Sequence, residues 1–284
     1  MNATPQRPPL DADALRGALL APDGPYARIE TVAETGSTNA DLAAAAGSEP
    51  GAWPDLSVLA SDFQSTGRGR LERGWSAPPR SSLAVSVLFR PSLGGAPLPA
   101  ESYGWLSMLC ALGLAEAIGD CTGLDARVKW PNDVLVGGRK VAGILAQLVP
   151  AGPLPAVVVG AGVNVLLTAD ELPVPTATSL ALEGATAGTT AVLTAYLRTT
   201  ARLYRGFLSD GADPAAGLRD AVAARMATLG AAVRAELPGG VVLEGTADSL
   251  EDDGGLGLAL AGGGREVVRA GDVVHLRRAD GRYA

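Results

Sequence analysis

The sequence contains very little cysteine and histidine. Cys110 and Cys121 are its two cysteines and His275 is its one histidine, in a chain of 284 residues. With no CxxC pair and no cluster of Cys and His, neither a structural zinc site nor a disulfide framework is expected. The sparse use of cysteine is typical of a reducing compartment, and we predict a cytoplasmic location.

Positive charge and long apolar runs are scarce as well. The 23 lysines and arginines are outnumbered by 30 aspartates and glutamates, which gives a net charge of −7. This balance argues against broad affinity for nucleic acid or anionic membranes, although a local basic loop could still bind phosphate. The longest apolar run, residues 105–118, is too short for a membrane span, and the N-terminus has no signal-peptide pattern. We therefore predict a soluble protein that binds neither nucleic acid nor membrane.

The pattern of apolar residues predicts an α+β protein. Hydrophobic residues make up 47% of the chain, enough for a sizeable core. Residues 1–10 are expected to be disordered. From about residue 229, short strands alternate with glycine turns, as in a small β-barrel or sandwich. Helices are predicted at 11–20, 40–46, 99–120, 189–208 and 213–226, and strands before residue 229 at 26–32, 57–63, 82–90, 134–136, 141–148 and 156–166.

A hairpin with charged ends is the most unusual part of the sequence. Residues 134–136 and 141–148 read as two apolar strands joined by Gly137-Gly138, a pair typical of a tight β-turn. The Lys-Trp-Pro-Asn-Asp block at residues 129–133 and Lys140 lie at the ends of these strands. Lysine and aspartate are rarely buried unless they are paired or bind something. Ordinary surface charge explains most such pairs, but clustering at one end of apolar strands predicts the floor of an active site.

A loop rich in glycine and arginine, residues 64–75, follows the strand predicted at 57–63. Three glycines and three arginines lie within residues 67–74. Glycines let backbone amides turn toward an anion, and arginines supply forked donors for phosphate or carboxylate. The spacing fits neither a Walker loop nor a dinucleotide-binding fingerprint. Alone, the loop is as compatible with a solvated turn as with an anion site. We expect it to be poorly ordered until an anion binds.

Two other polar groups stand next to apolar segments. Ser37-Thr38-Asn39 precedes a predicted helix, where capping explains one of the three residues but not all of them. Asn164 places one polar side chain at the end of an apolar strand that contains Gly160 and Gly162. Glycines at such positions permit the close approach of another group to the backbone. Both segments are therefore candidates for ligand contact.

Taken together, these motifs resemble the biotin protein ligase family, in the form without an N-terminal DNA-binding domain. The resemblance implies an α+β fold with a mixed, largely antiparallel sheet, helices mainly on one face, and a small C-terminal SH3-like β-domain. One GRGR motif would mean little, whereas five blocks in the family's order and spacing are specific. They are Ser37-Thr38-Asn39; Gln64 with Gly67-Arg68-Gly69-Arg70 and Trp75; Lys129 to Asp133; Arg139 to Leu145; and Gly160 to Asn164.

The resemblance implies an ATP-dependent ligase. The family activates biotin as biotinyl-5′-AMP and then transfers it to one lysine of a biotin carboxyl carrier domain of an acyl-CoA or pyruvate carboxylase. ATP and Mg²⁺ would be co-substrate and metal, biotin would be the substrate, and no tightly bound prosthetic group is expected. The implied domains are an N-terminal extension at 1–25, a catalytic biotin- and ATP-binding domain at 26–226 and the SH3-like domain at 227–284.

By the same resemblance, the site residues fall into overlapping groups. Lys140, Arg68 and Lys129 would be catalytic. The metal ligands are unknown, with Asp133 as a weak candidate. The biotin-binding residues would be Ser37, Thr38, Asn39, Gln64, Gly67, Arg68, Gly69, Arg70, Trp75, Lys140 and Gly143. The ATP-binding residues would be Arg68, Arg70, Trp75, Lys129, Asn132, Lys140 and Asn164.

The chemistry of these residues supports the same activity independently. Attack of a carboxylate on the α-phosphate of ATP brings two anions together, so positive charge must offset their repulsion. Lys140, Lys129, Arg68 and Mg²⁺ could supply it. No general base is needed for this step, because the carboxylate is already ionised near pH 7. His275 lies in the C-terminal β-region, so the base of the transfer step stays open, with Asp133 as one possibility.

Alternative functions remain open from the sequence. A lipoate ligase or octanoyltransferase would share the fold and the acyl-lysine chemistry, but the GRGR loop and the Lys129–Asp133 block favour biotin. A non-catalytic sensor of biotin or nucleotide would keep the polar residues without needing Lys140. The presence of Lys140 together with Lys129 and Arg68 favours the enzyme. An α+β domain without a site fits the five blocks least well.

The sequence also bears on partners beyond the substrates. Some family members act as repressors through an N-terminal helix-turn-helix domain, and only about 25 residues precede the first matching strand here. No DNA-binding role is therefore predicted. We expect a monomer or a weak homodimer. The exposed strand edge near residues 141–148 is a candidate surface for dimerisation or for docking of the carrier by strand pairing.

Overall fold

The computed structural model describes residues 7–70, 73–149, 155–237, 239–269 and 272–275. Helices in these ranges are α1 Ala12–Leu19, α2 Thr38–Ser48, α3 Gly104–Thr122, α4 Thr189–Ser209 and α5 Leu218–Ala224. The first strands are β1 Arg28–Val32, β2 Ser57–Ser61, β3 Ser82–Phe89, β4 Ser92–Leu93, β5 Ala96–Pro97, β6 Ala126–Lys129, β7 Asp133–Val136, β8 Arg139–Val149 and β9 Ala156–Asn164. Those after α5 are β10 Ala232–Glu236, β11 Val242–Leu250, β12 Leu256–Leu260, β13 Arg265–Val268 and β14 Asp272–His275.

Side-chain caps and turn residues fix several element ends. The Asp11 carboxylate accepts a hydrogen bond from the backbone N–H of Ala14 and begins α1, as predicted. The Ser37 hydroxyl accepts one from Ala40, so α2 begins at Thr38, two residues before the predicted start. Gly137 and Gly138 have φ of 57° and 74°, which closes the predicted β7–β8 hairpin.

Seven strands form the main sheet, in the order β1-β2-β3-β9-β8-β7-β6. β1 and β2 are parallel, and every other neighbouring pair in this sheet is antiparallel. The prediction of a mixed, largely antiparallel sheet is confirmed. Helices α1, α3 and α4 pack on one face around a single core, and most residues of α3 are buried there. α2 alone, among the described helices, covers part of the opposite face through Leu42, Ala43 and Ala46.

Three local predictions need correction. Residues 7–10 are placed against the protein, since Leu10 is buried and Arg7 is hydrogen bonded. The helix predicted from residue 99 begins at Gly104, because residues 100–103 form a 3-10 turn. The helix predicted at 213–226 is split into a 3-10 turn at Pro214–Ala216 and α5, since Gly217 has a φ of 141° between them.

Helix α3 is also long and apolar enough to cross a membrane by length and composition. The apolar run at residues 105–118 is only part of this 19-residue helix. In the fold, however, 67% of that window is buried inside the protein, which is typical of a core helix.

The C-terminal strands form a second, antiparallel sheet in the order β13-β12-β11-β10-β14. Its turn at residues 251–255 rests on the main domain. The indole N–H of Trp105 donates to the carbonyl of Asp252 at 2.7 Å, and that of Trp130 donates to the carbonyl of Gly254 at 2.9 Å. Since Trp130 belongs to the block at residues 129–133, this contact joins the β-domain directly to the predicted site.

Candidate active site

A cavity of about 520 Å³ lies where the glycine–arginine loop, the β7–β8 hairpin and the β-domain meet. It opens on the sheet face that α2 covers only in part. Its size falls within the range of small-molecule sites. The lining residues are Arg68, Gly69, Arg70, Arg73, Gly74, Trp75, Ser76, Lys129 to Asp133, Lys140, Gly143, Ile144, Leu145, Asn164, Pro173, Val174, Ala177, Glu236 and Val273.

The cavity wall is strongly basic in a protein that is acidic as a whole. Three arginines and two lysines line it, against Asp133 and Glu236. Lys140 Nζ lies 2.7 Å from Asp133 Oδ1 and 5.8 Å from the centroid of the Trp75 ring. In the hairpin Asp133 pairs with Gly143, and a Cβ at Gly143 would lie 3.4 Å from Lys140 Nζ, so the lysine side chain extends along β8 to reach the carboxylate. The wall is therefore suited to a multiply charged anion.

One face of β9 contacts both the residues of the cavity and the polar residues next to it. Successive side chains of a strand alternate between faces, so Gly160, Gly162 and Asn164 point the same way. A Cβ at Gly160 would overlap the amide of Asn39, and one at Gly162 would lie 2.6 Å from Cε2 of Trp75. The indole of Trp75 therefore sits between Asn39 and the cavity. Its ring N–H is buried without a hydrogen-bond partner among the described residues.

Beyond Trp75 lies a polar cluster, which we define as Ser37, Thr38, Asn39, Gln64 and Ser86. Gln64 Oε1 accepts from the backbone N–H of Thr38 at 2.8 Å and from its hydroxyl at 3.1 Å. The Ser86 hydroxyl lies 2.8 Å from Thr38 Oγ1 and 2.6 Å from Asn39 Oδ1, while Asn39 Nδ2 donates to the carbonyl of Leu145. These groups are uncharged and largely buried, and hydrogen bonds link Gln64, Thr38, Ser86 and Asn39 to one another, which pre-organises them.

The amides of Asn132 and Asn164 hold the cavity walls. Asn132 Nδ2 donates to the carbonyl of Ile144 at 2.7 Å, and its Oδ1 accepts from Arg70 at 3.3 Å. Asn164 Nδ2 donates to the carbonyl of Thr178 at 2.9 Å. Both side chains therefore fix backbone segments as well as facing the cavity.

The described part of the glycine–arginine loop forms a small hairpin. Gly69 N–H donates to the carbonyl of Arg73 at 2.7 Å, and Trp75 N–H donates to that of Gly67 at 2.9 Å. A Cβ at Gly67 would overlap the carbonyl oxygen of Trp75 and lie 3.1 Å from the Gln64 amide, so this glycine allows the two arms of the hairpin to approach beside the polar cluster. Leu71 and Glu72, at the tip, lie outside the described residues.

The structure brings most of the predicted site residues to one cavity. Ser37, Thr38, Asn39, Gln64 and Gly67 form the neighbouring group behind Trp75 instead. The cavity-lining members are Arg68, Gly69, Arg70, Trp75, Lys129, Asn132, Asp133, Lys140, Gly143 and Asn164.

Several residues of this region were missed. Ser86 has a sequence signal, since it is a polar residue in the middle of an apolar strand. Pro173, Val174 and Ala177 come from a segment with no motif. Glu236 of the β-domain likewise has no local signal, because only the docking of that domain brings it to the cavity.

Titratable groups outside the cavity do not suggest a second reactive centre. Burial raises the pKa of the Cys110 thiol to about 12, so this cysteine stays protonated in the core. The side chain of His275 lies outside the part of the chain that the structure describes. In that part there is also no group of three or more His, Cys, Asp or Glu residues that could hold a metal by themselves.

Comparisons with known proteins identify the family that the sequence motifs resemble. Residues 37–164 match the biotin/lipoate A/B protein ligase family, and residues 228–276 match the biotin protein ligase C-terminal domain. A biotin–[acetyl-CoA-carboxylase] ligase of Mycobacterium tuberculosis is 39% identical over 275 residues, covering 95% of this chain and 97% of the relative. One from Paracoccus denitrificans is 37% identical over 256 residues, covering 85% and 98%.

The fold likeness extends to solved structures. Biotin protein ligase from Aquifex aeolicus, in complex with biotin and ATP, superposes with a TM-score of 0.69 at 24% identity and covers 88% of this chain and 98% of its own. That level of identity supports the shared fold. With the similarity to the Mycobacterium tuberculosis protein over nearly its whole length, these matches show that the chain belongs to the biotin protein ligase family.

Proposed function

We propose that the chain activates biotin with ATP to form biotinyl-5′-AMP and pyrophosphate, and then transfers biotin to a lysine of a carrier protein. The observation that carries this proposal is the basic cavity next to an uncharged polar cluster, with Trp75 between them. The cavity suits the phosphates of ATP, and the cluster suits the neutral ureido ring of biotin. Family membership supports the same reaction.

In the first step, the biotin carboxylate attacks the α-phosphate, and the bond between the α- and β-phosphates breaks. Lys140, Lys129 and Arg68 supply positive charge where the two anions meet, which lowers their mutual repulsion. Lys140 is held by Asp133 at 2.7 Å, so its ammonium group is positioned before the anions arrive. A positioned cation stabilises the transition state without further reorganisation.

The residues present fit the magnesium ion that accompanies ATP. Mg²⁺ commonly binds through the phosphates and one or two carboxylates, and Asp133 is the main-domain carboxylate among the described cavity residues. When bound, the ion neutralises phosphate charge. Asp133 would thus serve both Lys140 and the metal, and no protein-only metal cage is required.

Trp75 and the small hairpin before it provide the cover that an acyl-adenylate needs. A mixed anhydride hydrolyses unless water is excluded. The unpartnered indole N–H of Trp75 offers a donor to a ligand atom, and its ring already rests on Gly162. Asn132 and Asn164 keep the adenine or ribose side of the cavity in shape through their hydrogen bonds to backbone carbonyls.

In the second step, the carrier lysine attacks the acyl carbon and AMP leaves. We infer a carrier domain of an acyl-CoA or pyruvate carboxylase, which docks along β8. Beyond Gly143, no described strand pairs with the β7-facing edge of β8, and Leu148 is 58% exposed there. An open strand edge with an apolar side chain can accept another strand. We also infer action in the cytoplasm as a monomer or weak homodimer, without a repressor role.

Pyrophosphate release tests the proposal. Purified protein with ATP and Mg²⁺ should release pyrophosphate when biotin is added, and not with lipoate or octanoate. The Lys140→Ala variant should lose on the order of a hundredfold in this rate, whereas Arg139→Ala should stay close to wild type, since Arg139 pairs with Glu183 away from the cavity. Biotin binding without release would indicate a sensor, and release with lipoate alone would exclude the biotin assignment.

A further inference from the structure

The N-terminal residues make specific contacts with the main domain. We define residues 7–11 as the N-terminal strap. Arg7 donates to both carboxylate oxygens of Glu171, at 3.1 and 2.5 Å, and to the carbonyl of Leu166 at 3.1 Å. The side chain of Arg7 is only 12% exposed. A bidentate ion pair with this little solvent contact has a defined geometry, unlike an ordinary surface pair.

The partner of Arg7 belongs to a segment that forms one wall of the cavity. We call residues 165–178 the wall segment, and it brings Pro173, Val174 and Ala177 to the cavity. Glu171 lies two residues before Pro173, and its carboxylate also accepts the backbone N–H of Thr168 at 2.9 Å in a capping box. Arg7 therefore holds one end of the wall segment.

The other end of the wall segment is bonded to the backbone of Lys140. Lys140 N–H donates to the carbonyl of Thr176 at 2.9 Å, and Thr178 N–H donates to the carbonyl of Lys140 at 2.8 Å. Asn164 also donates to the carbonyl of Thr178. A continuous chain of contacts thus runs from Arg7 through the wall segment to Lys140 in the cavity.

A second contact of the strap reaches the base of the glycine–arginine loop. Leu10 N–H donates to Asp62 Oδ1 at 2.9 Å, just after the end of β2 and two residues before Gln64. Asp62 is itself bonded through its backbone to Val32 and Arg80. The strap therefore touches the supports of both chain segments that enclose the cavity, although it lines neither the cavity nor the polar cluster.

We propose that Arg7 is a positioning residue for the ATP side of the site, acting through Glu171 on the wall segment. This inference rests on the ligase function proposed above. Without Arg7, the wall segment loses the bond that holds Pro173 and Val174 against the cavity, so binding of ATP weakens. Binding of biotin weakens less, because these hydrogen bonds of the polar cluster do not involve the wall segment.

The test compares Arg7→Ala and Arg7→Lys with Arg16→Ala, whose exposed side chain pairs with Asp13 of the same helix and with no other acidic residue in the described ranges. In biotin-dependent pyrophosphate release, Arg7→Ala should raise the KM for ATP about fivefold or more, with little change in the KM for biotin. Arg7→Lys should restore part of the affinity, because lysine keeps the charge but not the fork. Equal changes in both KM values, or none, would overturn the proposal.

Amide hydrogen exchange gives a second readout that does not depend on activity. Exchange in residues 168–178 should be faster in Arg7→Ala and in Glu171→Gln than in wild type, and the double variant should be no faster than either, since both remove one interaction. Unchanged exchange in residues 168–178 would show that Arg7 does not order the wall segment. Should wild type release no pyrophosphate, the ligase function would fail while this measurement still decided whether Arg7 orders the wall segment.

Discussion

At the scale of single residues, the glycines of β8 and β9 decide where the Trp75 indole can lie. A Cβ at Gly162 would meet Cε2 of Trp75 at 2.6 Å, while one at Gly143 would meet it no closer than 3.5 Å. The first contact requires the ring to move, whereas the second is an ordinary van der Waals contact. The two glycines therefore form a matched pair for testing the role of the ring.

We expect Gly162→Ala to displace the Trp75 indole and to lower kcat/KM for biotin about tenfold or more, as overpacking of a filled site does. Gly143→Ala should displace the indole less, since its Cβ meets no described atom closer than 3.4 Å, so a loss of activity in this variant reflects the new methyl group in the cavity. Tryptophan fluorescence with and without biotin, alongside steady-state rates, measures both effects. Wild-type kinetics in Gly162→Ala would show that the indole position is not needed for activity.

At the scale of elements, the turn at residues 251–255 connects the β-domain to two tryptophans, one that lines the cavity and one on α3. Trp130 lines the cavity and donates to Gly254, and Trp105 lies on α3 and donates to Asp252. Both bonds hold the β-domain, but only the first belongs to a residue beside Lys129 and Asn132. The same substitution at the two positions therefore separates domain docking from an effect on the site.

Trp130→Phe and Trp105→Phe should each lower the free energy of unfolding by about 2 kcal/mol or more, since each loses one hydrogen bond and leaves a cavity at a buried position. Trp130→Phe should in addition raise the KM for ATP, because the strand end at Lys129 loses a support, while Trp105→Phe should not. Chemical denaturation and initial rates give the two quantities. An equal rise in the KM for ATP in both variants would show that the effect comes from weaker docking of the β-domain alone.

The open edge of β8 is the element on which carrier docking depends. Leu148→Lys puts a charge at the 58% exposed position and should slow transfer of biotin to the carrier while pyrophosphate release continues. Val32→Lys is a matched control, since Val32 is 37% exposed on β1 at the other edge of the same sheet. Loss of both half-reactions in Leu148→Lys would count against docking at this edge.

At the scale of the whole molecule, the Arg7–Glu171 pair makes stability depend on acid pH. The hydrogen bond from Arg7 is the main reason that the pKa of Glu171 is lowered, from 4.5 to about 2. Between these values the unfolded chain binds a proton that the folded protein does not. The stabilisation is therefore fully present above about pH 4.5 and is lost as the pH falls toward 2.

We expect wild type to be more stable than Glu171→Gln by about 1–2 kcal/mol at pH 6, after allowance for the partial exposure of the pair. The difference should shrink steadily below about pH 4.5. Urea unfolding of both proteins from pH 6 to pH 3.5 measures it. A difference that stays constant over this range would show that the carboxylate of Glu171 is not the group responsible.

Much of the fold and part of the site could be predicted from local sequence. The Asp11 cap, the Gly137-Gly138 turn and the apolar strands depend on residues a few positions apart, so the pattern determines them. The block at residues 129–133 and Lys140 could be recognised because charged side chains at the ends of apolar strands are usually paired or bind something. The domain limits at residues 25/26 and 226/227 stay a prediction.

Tertiary structure alone decided how these parts are joined. It placed Trp75 over Gly162, which separates the polar cluster from the basic cavity. It also paired Arg7 with Glu171, 164 residues apart, and Trp130 with Gly254, 124 residues apart. The sequence by itself determined the local elements and the kinds of side chain available for binding. Which of them meet depends on packing between distant segments, and no spacing along the chain encodes that.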